Sequence, residues 1–204
     1  MALNIEFPSV LSILGACKSG KSYLAKFLVT TYKKQFNNII VFTSTGFTKS
    51  YDFIETLGIK STISGTINID KKITYILKLS QQYIEKNHNP KTLIIFDDVM
   101  GSIKSYSEKL KQLLSTYRHY NISVMFISQY SNAIPTYIRE LSGYIFIFNQ
   151  ESKNCKKLVH ESYFMDVCDK LTDFINFFND QLKVEHSFYF VDRINKNKFV
   201  AKCP

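Results

Sequence analysis

Two glycines, followed at once by a lysine and a serine, stand near the start of this chain in Gly15-Ala16-Cys17-Lys18-Ser19-Gly20-Lys21-Ser22. Glycine at both ends suits a loop that wraps an anion in its own amides, through backbone angles that a Cβ obstructs. Lys21 is then placed to reach the β- and γ-phosphates of a nucleoside triphosphate, and the Ser22 hydroxyl to hold magnesium. The apolar run Val10-Leu11-Ser12-Ile13-Leu14 before the loop and a helical pattern after it complete the phosphate-binding P-loop arrangement. The first turn of that helix adds N–H groups and the positive end of its dipole. The expected nucleotide contacts are Gly15, Ala16, Cys17, Lys18, Ser19, Gly20, Lys21, Ser22 and Tyr23, with ATP and Mg2+ as the ligands. Lys18 either adds a phosphate contact or faces solvent.

Acidic chemistry is concentrated in Thr92-Leu93-Ile94-Ile95-Phe96-Asp97-Asp98, an apolar strand pattern ending in two carboxylates. A carboxylate held at a strand end can orient magnesium and its waters, the role expected of Asp97, and a second one can polarise the attacking water as general base, the role expected of Asp98. The competing reading is that one or both begin a turn or cap a helix. Gln129 closes the run Ile122-Ser123-Val124-Met125-Phe126-Ile127-Ser128. There its amide either senses the γ-phosphate and the lytic water or is only a turn residue. Arg118, just before that run, can neutralise transition-state charge on a phosphoryl group, in its own site or a neighbouring subunit's, or merely complement a helix dipole. Arg139 competes for the same role.

These residues need a scaffold, and 204 residues, 45% of them hydrophobic, suffice for one sizeable domain over residues 1–204. Five largely apolar runs, at residues 10–14, 39–42, 92–98, 122–129 and 144–150, alternate with helical patterns. They predict an α/β fold with a mostly parallel central sheet, helices on both faces and ligands at the carboxyl ends of the strands. Leu3–Phe7 reads as a short edge strand, residues 46–69 as loops with short elements, and residues 70–87 as a helix with Asp70 as N-cap. A further helix is expected over residues 106–119, a short one after Pro135, and one long amphipathic helix over residues 161–182. Residues 188–201 read as a closing β-hairpin.

The net charge of +9 suits a polyanionic partner or merely polyphosphate substrates. No apolar run approaches the roughly 20 residues that span a bilayer, and the first residues lack a signal-peptide pattern, so an interior compartment is expected. The spacing of Cys17, Cys155, Cys168 and Cys203 indicates neither a zinc site nor a disulfide framework. Lys104, Lys109 and Lys111 form one basic cluster and Lys153, Lys156 and Lys157 another, each either a DNA-facing patch or a solvated helix face.

Gly15 to Ser22, Leu93 to Asp98, Arg118 to Gln129 and Ile134 to Phe148, in that order, resemble the FtsK-HerA superfamily of P-loop motor ATPases, with its RecA-like (ASCE) fold. Within it the chain is most similar to the genome-packaging ATPases of archaeal turreted icosahedral viruses. The resemblance implies ATP hydrolysis coupled to translocation of double-stranded DNA into a capsid, by a homo-oligomeric ring at a capsid or portal vertex, in the host cytoplasm or the virion. It also implies that Arg118 acts as a finger in trans and Gln129 as a sensor. Many members carry Glu where this chain has Asp98, and small residues where it has Cys17 and Lys18. Two other readings stand beside it. One is a P-loop kinase of a small acceptor, against which stands the apolar segment 39–42 between the P-loop and acidic strands, since kinases of this class place those strands side by side. The other is a slow nucleotide-dependent scaffold.

Overall fold

The computed structural model describes residues 3–44, 49–99 and 107–203. Its strands are β1 (Val10–Leu14), β2 (Asn38–Thr43), β3 (Lys60–Ser64), β4 (Thr92–Asp97), β5 (Ile122–Ser128), β6 (Tyr144–Phe148), β7 (Ser187–Asp192) and β8 (Asn197–Lys202). Its helices are α1 (Lys21–Thr31), α2 (Ile69–Glu85), α3 (Glu108–Thr116), α4 (Thr136–Leu141), α5 (Lys153–Val159) and α6 (Leu171–Gln181). Among the described residues eight strands form a mostly parallel sheet in the order β3-β2-β4-β5-β1-β6-β7-β8. The chain divides into two compact units, one of Asn4–Val10 and Leu28–Phe126, the other of Met1–Leu3, Leu11–Phe27 and Ile127–Pro204.

In the first unit β2 lies parallel to both β3 and β4, with Ile39 opposite Ser61 on one side and Leu93 on the other. Ile39–Phe42 thus flanks the acidic strand directly, between it and β3. The rings of Phe42 and Phe96 stack at 5.1 Å, and those of Phe96 and Phe126 at 5.2 Å, which locks β4 into the core just before its carboxylates. Strand β3 is one of the short elements expected within residues 46–69, but Lys-Ser-Thr-Ile-Ser has too little apolar patterning to mark it as a strand; parallel pairing with β2 defines it.

Two further expectations fail in this unit. Residues 3–7 form no strand. Phe7 instead packs edge-on against Tyr32 and Phe36 at 5.2 and 5.0 Å, Pro8 offers no N–H, and the Ser9 carbonyl accepts from Val124 N–H at 2.9 Å just before β1 begins. Asp70 is not the N-cap of α2, a position held by Asn68 in the left-handed region. The Asp70 carboxylate accepts from Ser107 Oγ at 2.6 Å, and that same oxygen caps α3 by accepting from Leu110 N–H at 3.1 Å.

In the second unit β1 is parallel to β6, and β6, β7 and β8 continue antiparallel, so the expected closing hairpin is present. The expected long helix over residues 161–182 is broken. A π-turn over His160–Phe164 follows α5, and Lys170 is extended before α6. Phe164 and Phe174 would be about 15 Å apart along a continuous helix. Their rings lie at 5.2 Å, and both Phe164 and Phe178 reach Tyr189 on β7, at 5.0 and 5.9 Å. The fold-back is held by a His160 ring nitrogen 2.5 Å from the Cys168 carbonyl.

Candidate nucleotide site

Strand β1 is buried along its whole length and delivers Gly15 beside Phe148, the residue that its register with β6 brings next to it. A Cβ on Gly15 would lie 2.5 Å from Phe148 Cβ and 2.8 Å from Ser19 Oγ, so glycine is needed here for space. Gly20 is needed for its backbone, with φ +109°. Lys18 also takes a positive φ, 59°, and is exposed. The loop is tied at its start by Gly15 N–H to the Ser128 carbonyl at 3.2 Å and Ala16 N–H to the Asn149 carbonyl at 3.1 Å.

Lys21 is only 7% exposed, and its Nζ donates to the Ala16 carbonyl at 2.7 Å, across the loop. A buried ammonium held at the phosphate loop by one of its own carbonyls is a receptor for anionic oxygen. Ser22 and Tyr23 are exposed on the first turn of α1, and Cys17 is an exposed free thiol. Gln129, half-buried, follows the Ser128 that bonds to Gly15, so the second unit brings it to the entrance of the loop.

In the first unit, Asp97 ends β4 opposite Thr43 and accepts a hydrogen bond from the Tyr51 hydroxyl at 2.9 Å. Burial, reinforced by the Asp97 and Asp98 charges, pushes the Tyr51 phenol far above its ordinary range, so it stays protonated as a donor. Tyr51 belongs to a 3₁₀ stretch over Lys49–Leu57, one of the short elements expected within residues 46–69, but nothing in that polar context singled out Tyr51 as a site residue. Asp98 takes φ +50° immediately past the strand, ahead of the fully buried Val99. Its left-handed turn re-aims the second carboxylate relative to the strand direction.

Arg118 lies elsewhere in the same unit. It sits in the turn after α3, exposed, with Nε donating to the Tyr117 hydroxyl at 2.8 Å. That turn is bonded to the start of β4 through Thr92 N–H and the Asn121 carbonyl at 3.1 Å. Asp97 is at the far end of the strand, roughly 16 Å away at the usual rise per residue. The structure therefore does not bring Arg118 together with Asp97 and Asp98.

Arg139 is buried in the second unit, where its guanidinium donates to the Ile134 carbonyl and to Thr136 Oγ1. Lys109 and Lys111 are exposed on α3, while Lys104 lies outside the described residues. Of the other cluster, Lys156 donates to Asn179 at 2.7 Å and is pulled below its ordinary pKa by burial. Lys157 pairs with Glu161, and Lys153 is exposed.

A family model described as Poxvirus A32 protein matches residues 3–200. The chain belongs to that family. Compared with curated proteins by sequence, it has no significant match. Among solved structures, the A32-family chain is similar to the genome packaging NTPase B204 of Sulfolobus turreted icosahedral virus 2 in complex with ATP-gammaS. The TM-score is 0.71 at 14% identity, covering 98% of this chain and 100% of that one. It is also similar to the pCW3 conjugation coupling protein TcpA, with TM-score 0.66 and 12% identity over 96% of this chain and 60% of that one. VirB4 of Thermoanaerobacter pseudethanolicus follows with TM-score 0.63 and 11% identity, over 95% and 89%. At these identities the likeness establishes the fold, a P-loop NTPase fold.

Proposed function

We propose that this A32-family chain is a genome-packaging ATPase, a motor that hydrolyses ATP to move double-stranded DNA into a viral capsid. The observation that carries the reading is a complete phosphate loop, with Lys21 buried inside it, on a chain matched from end to end by a packaging NTPase. In this reading Gly15 to Tyr23 bind the triphosphate, and Lys21 neutralises its β- and γ-phosphates. Ser22 and Asp97 each offer a hard oxygen donor of the kind Mg2+ takes, and the ion when bound offsets phosphate charge. Asp97 is oriented for that role by Tyr51. Asp98 takes the proton of the attacking water, and Gln129 senses the γ-phosphate.

Arg118 serves a neighbouring subunit in a homo-oligomeric ring, a role supported by its exposure and its place at the opposite end of β4 from Asp97. DNA is held through its phosphates without sequence preference, in keeping with the charge of +9. The ring works at a capsid or portal vertex, in the host cytoplasm or the virion; among the described residues no helix is long and apolar enough to cross a membrane. The test is ATP turnover with and without double-stranded DNA, alongside the mass of the assembly in solution. Stimulation by DNA and a ring-sized particle are expected; a monomer indifferent to DNA that phosphorylates a small acceptor would refute the motor.

A further inference from the structure

The C-terminal hairpin reaches the phosphate loop through one side chain. His186 stands just before β7 at φ 63°, in the left-handed region, and its carbonyl accepts from the Cys203 N–H beyond β8 at 3.1 Å. From that anchor, Nδ1 lies 3.2 Å from the Ser19 carbonyl oxygen. A carbonyl only accepts, so Nδ1 carries the proton in this contact. The Cys203 sulfur stands 4.0 Å from the next carbonyl, that of Gly20. Contact is close enough that a Cβ on Gly20 would come to 3.3 Å from His186 Nδ1 and from Phe148 Cε1.

In a trans peptide the C=O and N–H point in opposite directions. A Ser19 carbonyl tied to His186 therefore turns the Gly20 N–H away from the hairpin. Untied, the Ser19–Gly20 peptide is free to flip, because glycine accepts φ of either sign, and the carbonyl would then present partial negative charge to an incoming anion. We propose that His186 is a positioning residue of the phosphate loop, whose Nδ1–H bond to the Ser19 carbonyl aims the Gly20 amide at bound phosphate. This role presupposes ATP at Gly15–Ser22, the reading proposed above, and extends it to residues beyond the P-loop itself.

Asparagine places an amide nitrogen where Nδ1 stands and tolerates positive φ, whereas glutamine reaches toward the Nε2 position. In the full chain, calorimetric titration with ATP and Mg2+ should give His186→Ala a Kd raised about tenfold, with KM raised in parallel and kcat changed less. His186→Asn should bind within about threefold of wild type and His186→Gln should resemble the alanine variant. The Gly20 amide resonance of the nucleotide-free protein should move in His186→Gln but stay close to wild type in His186→Asn. The Asn and Gln pair carries the comparison if the alanine variant does not fold. Wild-type binding of ATP with an unaffected alanine variant, or with Asn and Gln variants alike, would overturn this role alone. Wild-type protein that binds no ATP would overturn it together with the nucleotide reading.

Discussion

The hydrogen bond from Tyr51 to Asp97 joins residues 46 positions apart, and it fixes the carboxylate that the proposed mechanism assigns to magnesium. Tyr51→Phe keeps the packing volume and removes only the donor. Partners behind a metal ligand usually matter about 10–100-fold, so ATP turnover should fall about tenfold and the Mg2+ needed for half-maximal rate should rise by a similar factor. Asp97→Ala should abolish turnover. A phosphate-release assay across a MgCl2 titration reads both; a Tyr51→Phe variant with the wild-type Mg2+ response would remove the tyrosine from the site. The P-loop residues were legible because their spacing is itself the chemistry. Tyr51 and His186 were not, because each acts on a residue far away in sequence and neither sits in a recognisable local pattern. Gly15 lies between these cases: its identity was legible, but its reason, the approach of Phe148 to 2.5 Å from where a Cβ would stand, depends on β1–β6 pairing.

At the scale of elements, the buried runs β1, β2, β4, β5 and β6 were all readable, since a strand covered on both faces is a continuous apolar stretch. Edge strand β3 was not, because its pairing needs no apolar pattern. The helix pattern over residues 161–182 misled because helical spacing marks which residues are apolar without saying whether they converge by one helix or by two. Tyr163, next to Phe164 in the broken stretch, is buried, and its hydroxyl has no hydrogen-bond partner among the described residues. Burial pushes its phenol up to about 12, against the pull of the nearby Arg193 and Arg139 charges. Below an ordinary tyrosine pKa near 10 both folded and unfolded chains hold the phenol neutral, so its contribution is intact. As pH climbs from there to about 12 only the unfolded chain ionises it, and stability falls. Tyr163→Phe should therefore lessen the alkaline loss by roughly 2–3 kcal/mol without lowering stability at neutral pH. Urea unfolding of both proteins from pH 7 to beyond 12 measures the difference, and parallel curves would contradict it.

For the whole molecule, the decisive geometry is the separation of Arg118 from Asp97 by the length of β4. Such an arginine has work to do in phosphoryl transfer only if it meets the phosphates of another copy, so catalysis should belong to the interface between subunits. Arg118→Ala and Asp98→Ala subunits should each be nearly inactive alone. Mixed at equal amounts before assembly, a site that keeps its Asp98 will sometimes face a neighbour that keeps its Arg118. Random assembly makes that pairing at about a quarter of interfaces, so roughly a quarter of wild-type turnover should return, with a bell-shaped dependence on the mixing ratio. The same mixture made with Lys21→Ala in place of Asp98→Ala should recover to a similar extent, because Lys21 also acts on the nucleotide of its own chain. Recovery absent at every ratio, in mixtures whose subunits are shown to exchange, would place the arginine's action within one subunit or outside catalysis altogether.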